Sequence, residues 1–260
     1  MLSGLRRIAR GALFATARDW TDRLASSSPA LVLAPHPDDE TIGCGATILR
    51  KIAAGASVTV VVVTDGRHSH RSSYCSPEDL AALRRVEMAD AAKRLGGPEV
   101  LWLDLPDGQA GTDVDALAER VGALVRERGV EDLFSTCAWE AHPDHAAVGR
   151  AARLVADRTG ARLFEYPVWL WGSWPLAKGG RWSSFSQFAR VALTGGAVTV
   201  RTAEVRDRKL HALAAHRTQL GHRPDGVPAD EPWVSLPPAV LDDAGRGVEL
   251  FLRYRGQADR

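Results

Sequence analysis

The sequence predicts a layered α/β fold with a mostly parallel sheet. Short apolar or β-branched runs recur along the chain, each is followed by a stretch of helical periodicity, and this alternation repeats four times. Parallel strands need such crossovers, because a tight turn cannot join them. The length of 260 residues suits one domain of this kind. We therefore expect a Rossmann-like sandwich, with extra C-terminal strand, helix and loop elements.

Five runs are predicted as buried strands, and four helices are predicted between them. The strands are 31–34, 58–64, 100–103, 133–136 and 162–166, and the helices are 41–54, 77–95, 113–128 and 145–157. Ser76 is the predicted cap of the second helix and Thr112 that of the third. The common strand order 3-2-1-4 would make the first and fourth strands neighbours.

The two ends of the chain depart from this alternation. Residues 1–28 are predicted as an amphipathic helix, spanning 3–24, with a short linker, ahead of a single domain at 29–260. A helix docked on its own domain is favoured over a membrane-surface or partner-binding arm, because aspartates lie among its arginines. Beyond residue 166 we expect a strand at 197–201, a helix at 203–220 and a proline-punctuated ordered loop at 221–246.

Charge and composition exclude several classes of protein. The 33 Lys and Arg residues against 32 Asp and Glu residues leave a formal net charge of +1, so no overall field attracts nucleic acid. No apolar run approaches the ~18 residues of a transmembrane helix. The three cysteines are widely separated and form no C-x-x-C, which argues against a disulfide framework. We therefore expect a cytoplasmic protein with no transmembrane segment.

Two clusters of histidine and carboxylate follow the first and fourth predicted strands. The first runs from Pro35 to Glu40 with the sequence PHPDDE, and the second runs from His142 to His145 with the sequence HPDH. The carboxyl ends of neighbouring parallel strands lie at the same edge of a sheet. If the strand order is as predicted, the two clusters face each other across a crevice.

The residue types in these clusters indicate a metal site. His36, Asp39 and His145 provide two imidazoles and one carboxylate, the composition of a catalytic zinc site with an open fourth position. Asp38 is then the expected general base, and His142 is free to stabilise or protonate a group opposite. The alternative is a turn whose acids cap a helix, but three successive acids repel one another without a nearby cation. Ferrous iron fits the same ligands.

These runs resemble the signature of the PIG-L, or LmbE-like, zinc-dependent de-N-acetylases, and the resemblance covers most of residues 31–220. It implies the same roles: zinc held by His36, Asp39 and His145, with Asp38 as base and His142 at the oxyanion. Two features depart from the family pattern. An arginine-rich helix precedes the first run, and Thr218 stands before Gln219 where the family usually carries serine.

Candidate substrate-binding residues lie on the helix and loop that follow the second predicted strand. Arg84 and Glu87 look like the family's R-x-x-E pattern, in which the arginine would help to hold substrate; the alternative is a solvated helix face. Asp65 can accept a hydrogen bond from a sugar hydroxyl and Arg67 can donate one. The alternative for this loop is a solvent-exposed connection with no binding role.

Tryptophans after the fourth and fifth strands are further candidates for the substrate site. They are Trp139, Trp169, Trp171 and Trp174. Flat indole rings can pack against a sugar ring or an acyl chain, but tryptophans at such spacing also form ordinary, partly buried packing. Both interpretations stand at this point.

The predicted function is hydrolysis of an N-acetyl, or other N-acyl, group from an amino sugar or glycosylated metabolite. The expected partner is that small molecule, and the interpretation allows self-association. A non-haem iron(II) oxygenase uses the same ligand set but is usually built on a jelly roll. A non-catalytic sugar-binding module has no need of Asp38. A dinucleotide-binding dehydrogenase is excluded, because Ile48 replaces the third glycine of its phosphate turn.

Overall fold

Eight strands form one mixed sheet in the computed structural model of the protein, which describes residues 2–170 and 196–256. The strands are β1 (Arg18–Asp19), β2 (Ala30–Ala34), β3 (Val58–Thr64), β4 (Glu99–Leu105), β5 (Asp132–Thr136), β6 (Arg162–Tyr166), β7 (Ala197–Arg201) and β8 (Val248–Arg253). Their order is β1-β7-β8-β6-β5-β2-β3-β4. The parallel block β4-β3-β2-β5 confirms the predicted order 3-2-1-4. The neighbouring strands β2 and β5 are the two that lead into the predicted site.

The helices follow the predicted crossovers, with differences at their ends. They are α1 (Leu2–Thr16), α2 (Thr21–Leu24), α3 (Asp39–Ala53), α4 (Pro77–Arg94), α5 (Val114–Glu127), α6 (Pro143–Thr159), α7 (Arg206–Leu213) and α8 (Pro238–Ala244). Ser76 caps α4 as predicted, because its hydroxyl accepts the N–H of Asp79. The prediction of Thr112 as the cap of α5 is wrong: the side chain of Asp113 accepts the N–H of Ala116.

The central strand β2 is buried on both faces. All five of its residues are buried, and alternate residues contribute to two different apolar clusters. Val32 packs with Phe134 and Tyr166 on one face, while Leu31 and Leu33 pack with residues of α5 and α6 on the other. Burial on both faces explains why this strand is a continuous apolar run rather than an alternating one.

The C-terminal part of the chain adds a strand that the sequence interpretation missed. Strand β8 lies between β6 and β7 and is antiparallel to both. The predicted helix 203–220 is too long, since α7 ends at Leu213 and the chain then forms turns in which Thr218 donates its N–H to Glu87. The predicted loop 221–246 contains the short helix α8.

The N-terminal segment forms three short elements rather than one helix. After α1, strand β1 pairs in parallel with β7, and α2 follows. The carboxylate of Asp19 accepts hydrogen bonds from the N–H and the hydroxyl of Thr21, which stabilises the bend between β1 and α2. Leu13 of α1 is 1% exposed and packs with Cys137 and Leu252, so the helix is docked on the sheet. Within the described residues, no helix has the length and apolar character needed to cross a membrane.

Candidate active site

The carboxyl ends of β2 and β5 bring the two predicted clusters together. His36 lies two residues beyond β2, Asp39 begins α3, and His145 lies in the first turn of α6. Asp39 is 2% exposed and His145 is fully buried. Charged or polar groups at such depth require partners. The three side chains provide these partners for one another.

Three donor atoms of these residues form a nearly equilateral triangle. His36 Nδ1 lies 3.2 Å from His145 Nε2 and 3.4 Å from Asp39 Oδ2, and the last two atoms are 3.2 Å apart. Ligands bound tetrahedrally to zinc are about 3.3 Å from one another, given metal–ligand distances of about 2.0–2.1 Å. The triangle therefore fits a single ion within bonding distance of all three atoms. Burial alone would raise the pKa of Asp39, but His145 and His36 hold it well below its usual value.

Two further carboxylates face the other nitrogen of His36. Its Nε2 lies 3.3 Å from Asp107 Oδ1 and 3.3 Å from Asp144 Oδ2. Asp144 is fixed in turn by the N–H groups of Gly108, at 2.8 Å, and Ala110, at 3.0 Å. A carboxylate on the outer nitrogen of a ligand histidine fixes the ring orientation and tautomer. Sequence reasoning missed Asp107, which no motif marks, and gave Asp144 no role although it lies within the HPDH run.

We expect Asp144→Asn to weaken metal binding about 10- to 100-fold, because the amide keeps the shape of the side chain but removes its negative charge from His36. Metal titration against a competing chelator measures this change. Asp115→Asn, at an exposed position of α5, is the control and should bind metal like the unmodified protein. Unchanged affinity in Asp144→Asn would contradict the role assigned to this carboxylate.

Asp38 lies between His36 and Asp39 in the sequence and is not part of the triangle. It is 4% exposed and lines the cavity described below. Burial raises the pKa of Asp38 to about 7, against the opposing effect of the Arg84 guanidinium. A carboxylate with a pKa near neutrality is suited to accept and release a proton at neutral pH.

His142 lies close to both histidines of the triangle. The centre of its ring is 4.9 Å from those of His36 and His145, and its Nδ1 has no hydrogen-bond partner among the described residues. Burial, followed by the charges of His36 and His145, lowers the pKa of His142 to about 4. A neutral imidazole can still donate one N–H. Nitrogens of the three histidines lie within 4.8 Å of one another, so they form a second candidate ligand set.

A cavity of about 420 Å³ opens above these residues, a size typical of small-molecule sites. Its lining includes His36, Asp38, Asp39 and His142. Other parts of the lining come from the loop after β3, the start of the segment after β6 and the C-terminal turns. Their residues include His68, Ser69, His70, Trp169, Gln219, Val234, Ser235 and Leu236.

The comparisons with known proteins agree with this geometry. The family model described as GlcNAc-PI de-N-acetylase, PIG-L, matches residues 31–156, which include both clusters. The chain therefore resembles the PIG-L family over this segment. A probable N-acetyl-alpha-D-glucosaminyl L-malate deacetylase 2 of Bacillus cereus is 29% identical over 194 residues, covering 73% of this chain and 82% of the relative.

Two further proteins extend the comparison. The 1D-myo-inositol 2-acetamido-2-deoxy-alpha-D-glucopyranoside deacetylase of Kineococcus radiotolerans is 31% identical over 176 residues, covering 54% of this chain and 49% of the relative. The chain thus aligns with about half the length of that relative. The structure of N,N'-diacetylchitobiose deacetylase from Pyrococcus horikoshii superposes with a TM-score of 0.63 at 21% identity, covering 87% of this chain and 84% of the other. This likeness shows that the fold is shared.

The structure places the predicted substrate-binding residues in different surroundings. Arg84 lies in the cavity wall, but it is 3% exposed and its terminal nitrogens donate to backbone carbonyls. Asp65 and Arg67 pair with each other, with Arg67 Nη2 at 2.7 Å from Asp65 Oδ2. Neither of these two lines the cavity that the described residues form. A substrate contact by Asp65 or Arg67 stays a prediction.

The predicted tryptophans also take different positions. Trp169 lines the cavity. Trp139 does not line it in the described part of the chain; its ring packs beside an apolar cluster, with the Arg153 guanidinium 5.3 Å from the ring centre. Trp171 and Trp174 lie outside the described residues. A substrate contact by Trp139 therefore also stays a prediction.

Glu87, on α4, binds the turns after α7, which contribute to the lining of the cavity. Its Oε1 accepts the N–H of Thr218 at 2.8 Å, and its Oε2 accepts the Thr218 hydroxyl at 2.7 Å. The next residue, Gln219, is thereby held in the cavity wall. Threonine supplies the same hydroxyl as the serine usual in the family, so this departure leaves the hydrogen bond intact. Sequence reasoning noted both patterns but could not show that they bind each other.

We expect Thr218→Val to loosen this part of the cavity lining while leaving the triangle of His36, Asp39 and His145 intact. Valine keeps the shape of threonine but removes one hydrogen bond to a charged carboxylate, so the free energy of unfolding should fall by about 1–3 kcal/mol. Substrate KM should rise several-fold while kcat changes less than twofold. Thr218→Ser retains the hydroxyl and is the matched control. Equal KM values in the two variants would show that the contact does not shape the cavity.

Proposed function

We propose that this protein is a metal-dependent N-deacetylase that removes an acetyl, or other acyl, group from an amino sugar or glycosylated metabolite. The observation that carries the proposal is the triangle of His36, Asp39 and His145 with the basic carboxylate of Asp38 beside it in an open cavity. The relatives named as deacetylases of N-acetylated sugars support the same reaction class.

The donor set determines which metal fits. Two imidazoles and one carboxylate suit zinc, and ferrous iron accepts the same ligands. We assign His36, Asp39 and His145 as ligands, because their atoms have the spacing of a tetrahedral site. A zinc ion held there acts as a Lewis acid that polarises the amide carbonyl and acidifies water.

The side chains around the ligands perform the proton transfers. Asp38 accepts a proton from the water that attacks the amide carbon. His142 donates its N–H to the carbonyl oxygen as that atom gains negative charge. When the C–N bond breaks, Asp38 returns the proton to the departing nitrogen. The products are a free amine and a carboxylate.

The test is incubation of the metal-loaded protein with a panel of N-acetylated sugars, glycosyl-inositols and glycosylated natural products. A deacetylase releases amine and acetate in equal amounts. Oxygen consumption that depends on ferrous iron and substrate would instead identify an oxygenase, and saturable binding without release would identify a sugar-binding module. Either of those results would overturn the proposal. The cytoplasmic location and self-association stay predictions from the sequence.

A further inference from the structure

One peptide group in the active site is held on both sides by buried opposite charges. Arg84 Nη2 donates to the carbonyl oxygen of Pro37 at 2.5 Å, and Glu40 Oε2 accepts the N–H of Asp38 at 3.1 Å. That oxygen and that N–H belong to the same planar amide. Arg84 is 3% exposed and Glu40 is fully buried, so water does little to weaken either contact.

The orientation of this amide sets the φ angle of Asp38. Asp38 has φ of 119° and ψ of −30°, outside the regions that side chains with a Cβ adopt freely. A residue keeps such a conformation only when its surroundings impose it. The two charges on either side of the amide are well placed to do so. The same orientation sets where the Asp38 carboxylate points, and its Oδ2 lies 3.5 Å from Arg84 Nη2.

Each charge is itself fixed by a different part of the fold. Arg84 Nη1 donates to the carbonyl of Gly66 at 3.0 Å, and a Cβ on Gly66 would lie 1.9 Å from that nitrogen, so only glycine permits this approach. The Oε1 atom of Glu40 accepts the Thr41 hydroxyl and lies 3.4 Å from Nε2 of the buried His216. The loop after β3 and the turn after α7 therefore hold the two sides independently.

We propose that Arg84 and Glu40 clamp the Pro37–Asp38 amide and act as positioning residues that aim the Asp38 carboxylate. The sequence predicts Arg84 as a substrate-binding residue, whereas both of its terminal nitrogens contact the protein backbone. The catalytic consequence of the clamp rests on the proposed function. Its conformational consequence, the imposed φ of Asp38, can be measured without any substrate.

The conformational test compares Asp38→Gly with Asp38→Ala. Both remove the carboxylate, but only glycine adopts a positive φ without strain. With the clamp intact, Asp38→Gly should therefore have a Tm several degrees above that of Asp38→Ala, the reverse of the usual order. When Glu40→Leu or Arg84→Met opens the clamp, this difference should vanish or reverse. The proposal is wrong if the Tm of Asp38→Gly does not exceed that of Asp38→Ala when the clamp is intact. It is also wrong if Asp38→Gly keeps the higher Tm when combined with Glu40→Leu and also when combined with Arg84→Met.

The catalytic test uses Glu40→Leu and Glu40→Gln. Leucine cannot accept the N–H of Asp38, so kcat should fall 10- to 100-fold, with KM within threefold and one metal still bound. Glutamine offers an amide oxygen at the same place and should restore most of kcat. Arg84→Met should also lower kcat; a rise in KM with kcat unchanged would instead make Arg84 a substrate ligand and overturn the proposal. If the unmodified protein cleaves no N-acylated sugar, the proposed function fails, while the Tm comparison still decides the clamp.

Discussion

Asp38→Asn should lower kcat by about 10²- to 10⁴-fold while one metal ion per chain remains bound. Asparagine preserves the size and hydrogen-bonding shape of the side chain but cannot accept a proton, and general-base catalysis typically contributes about 10²- to 10⁴-fold. The measurement is kcat together with metal stoichiometry on the same preparation. A rate close to that of the unmodified protein would remove Asp38 from the mechanism.

The other carboxylates of the cavity cannot take over from Asp38. Three aspartates among the described residues line it, namely Asp38, Asp39 and Asp107. His145 and His36 hold the pKa of Asp39 far below its usual value despite burial, and His36 does the same for Asp107. Only at Asp38 does the effect of burial prevail and leave the pKa raised, which makes Asp38 the strongest base of the three. Asp90→Asn, at the surface of α4, controls for nonspecific effects of removing a carboxylate.

The meeting of the two clusters could be predicted from sequence, because parallel strands bring distant residues to one edge. The apolar runs of β2 and β5 mark strands buried on both faces, and the residues that follow such strands lie at the carboxyl edge. His36 and His145 are 109 positions apart, yet their ring nitrogens are 3.2 Å from each other. Strand order alone was enough to predict that these clusters meet.

Strand β8 was missed, because Glu249 interrupts its short apolar run and the contacts that support it lie far along the chain. Its Glu249 is 4% exposed, which is unfavourable for an unpaired carboxylate. In the fold, Glu249 accepts from Lys209 Nζ at 2.8 Å and from the N–H groups of Ala46 and Thr47 in α3. None of these partners is close in sequence. A buried glutamate next to a charged C-terminal tail gives no strand signal of its own.

Residues whose role depends on a contact created by the fold are equally hard to predict from sequence. Asp107 follows β4 in a loop without a recognisable pattern, and its part in the site comes from the fold, which places it in the cavity lining and 3.3 Å from His36. Glu40 is visible in the sequence as an acid near a helix start, where capping is the ordinary interpretation. Its contact with the N–H of Asp38 depends on a positive φ that sequence patterns do not reveal.

His145→Ala should lose the metal and, with it, at least 1000-fold in activity. Removing one of three protein ligands leaves a site with two, and the fully buried position offers no replacement from solvent. Metal content after dialysis should fall from about one ion per chain to nearly none. Metal addition should raise the Tm of the unmodified protein, because a ligand that binds only the folded state stabilises it, but should not raise that of His145→Ala. His68→Ala, at an exposed histidine of the cavity rim, should keep its metal.

His142→Ala then distinguishes the two candidate ligand sets, since both contain His36 and His145. If Asp39 completes the set, His142→Ala should retain one metal ion and lose mainly kcat, by about 10²- to 10³-fold for a missing oxyanion donor. If His142 completes it, the metal should leave as it does in His145→Ala. The 3.2–3.4 Å spacing of the Asp39 triangle favours the first result. Stoichiometric zinc in His145→Ala, in contrast, would exclude both sets and with them the proposed centre.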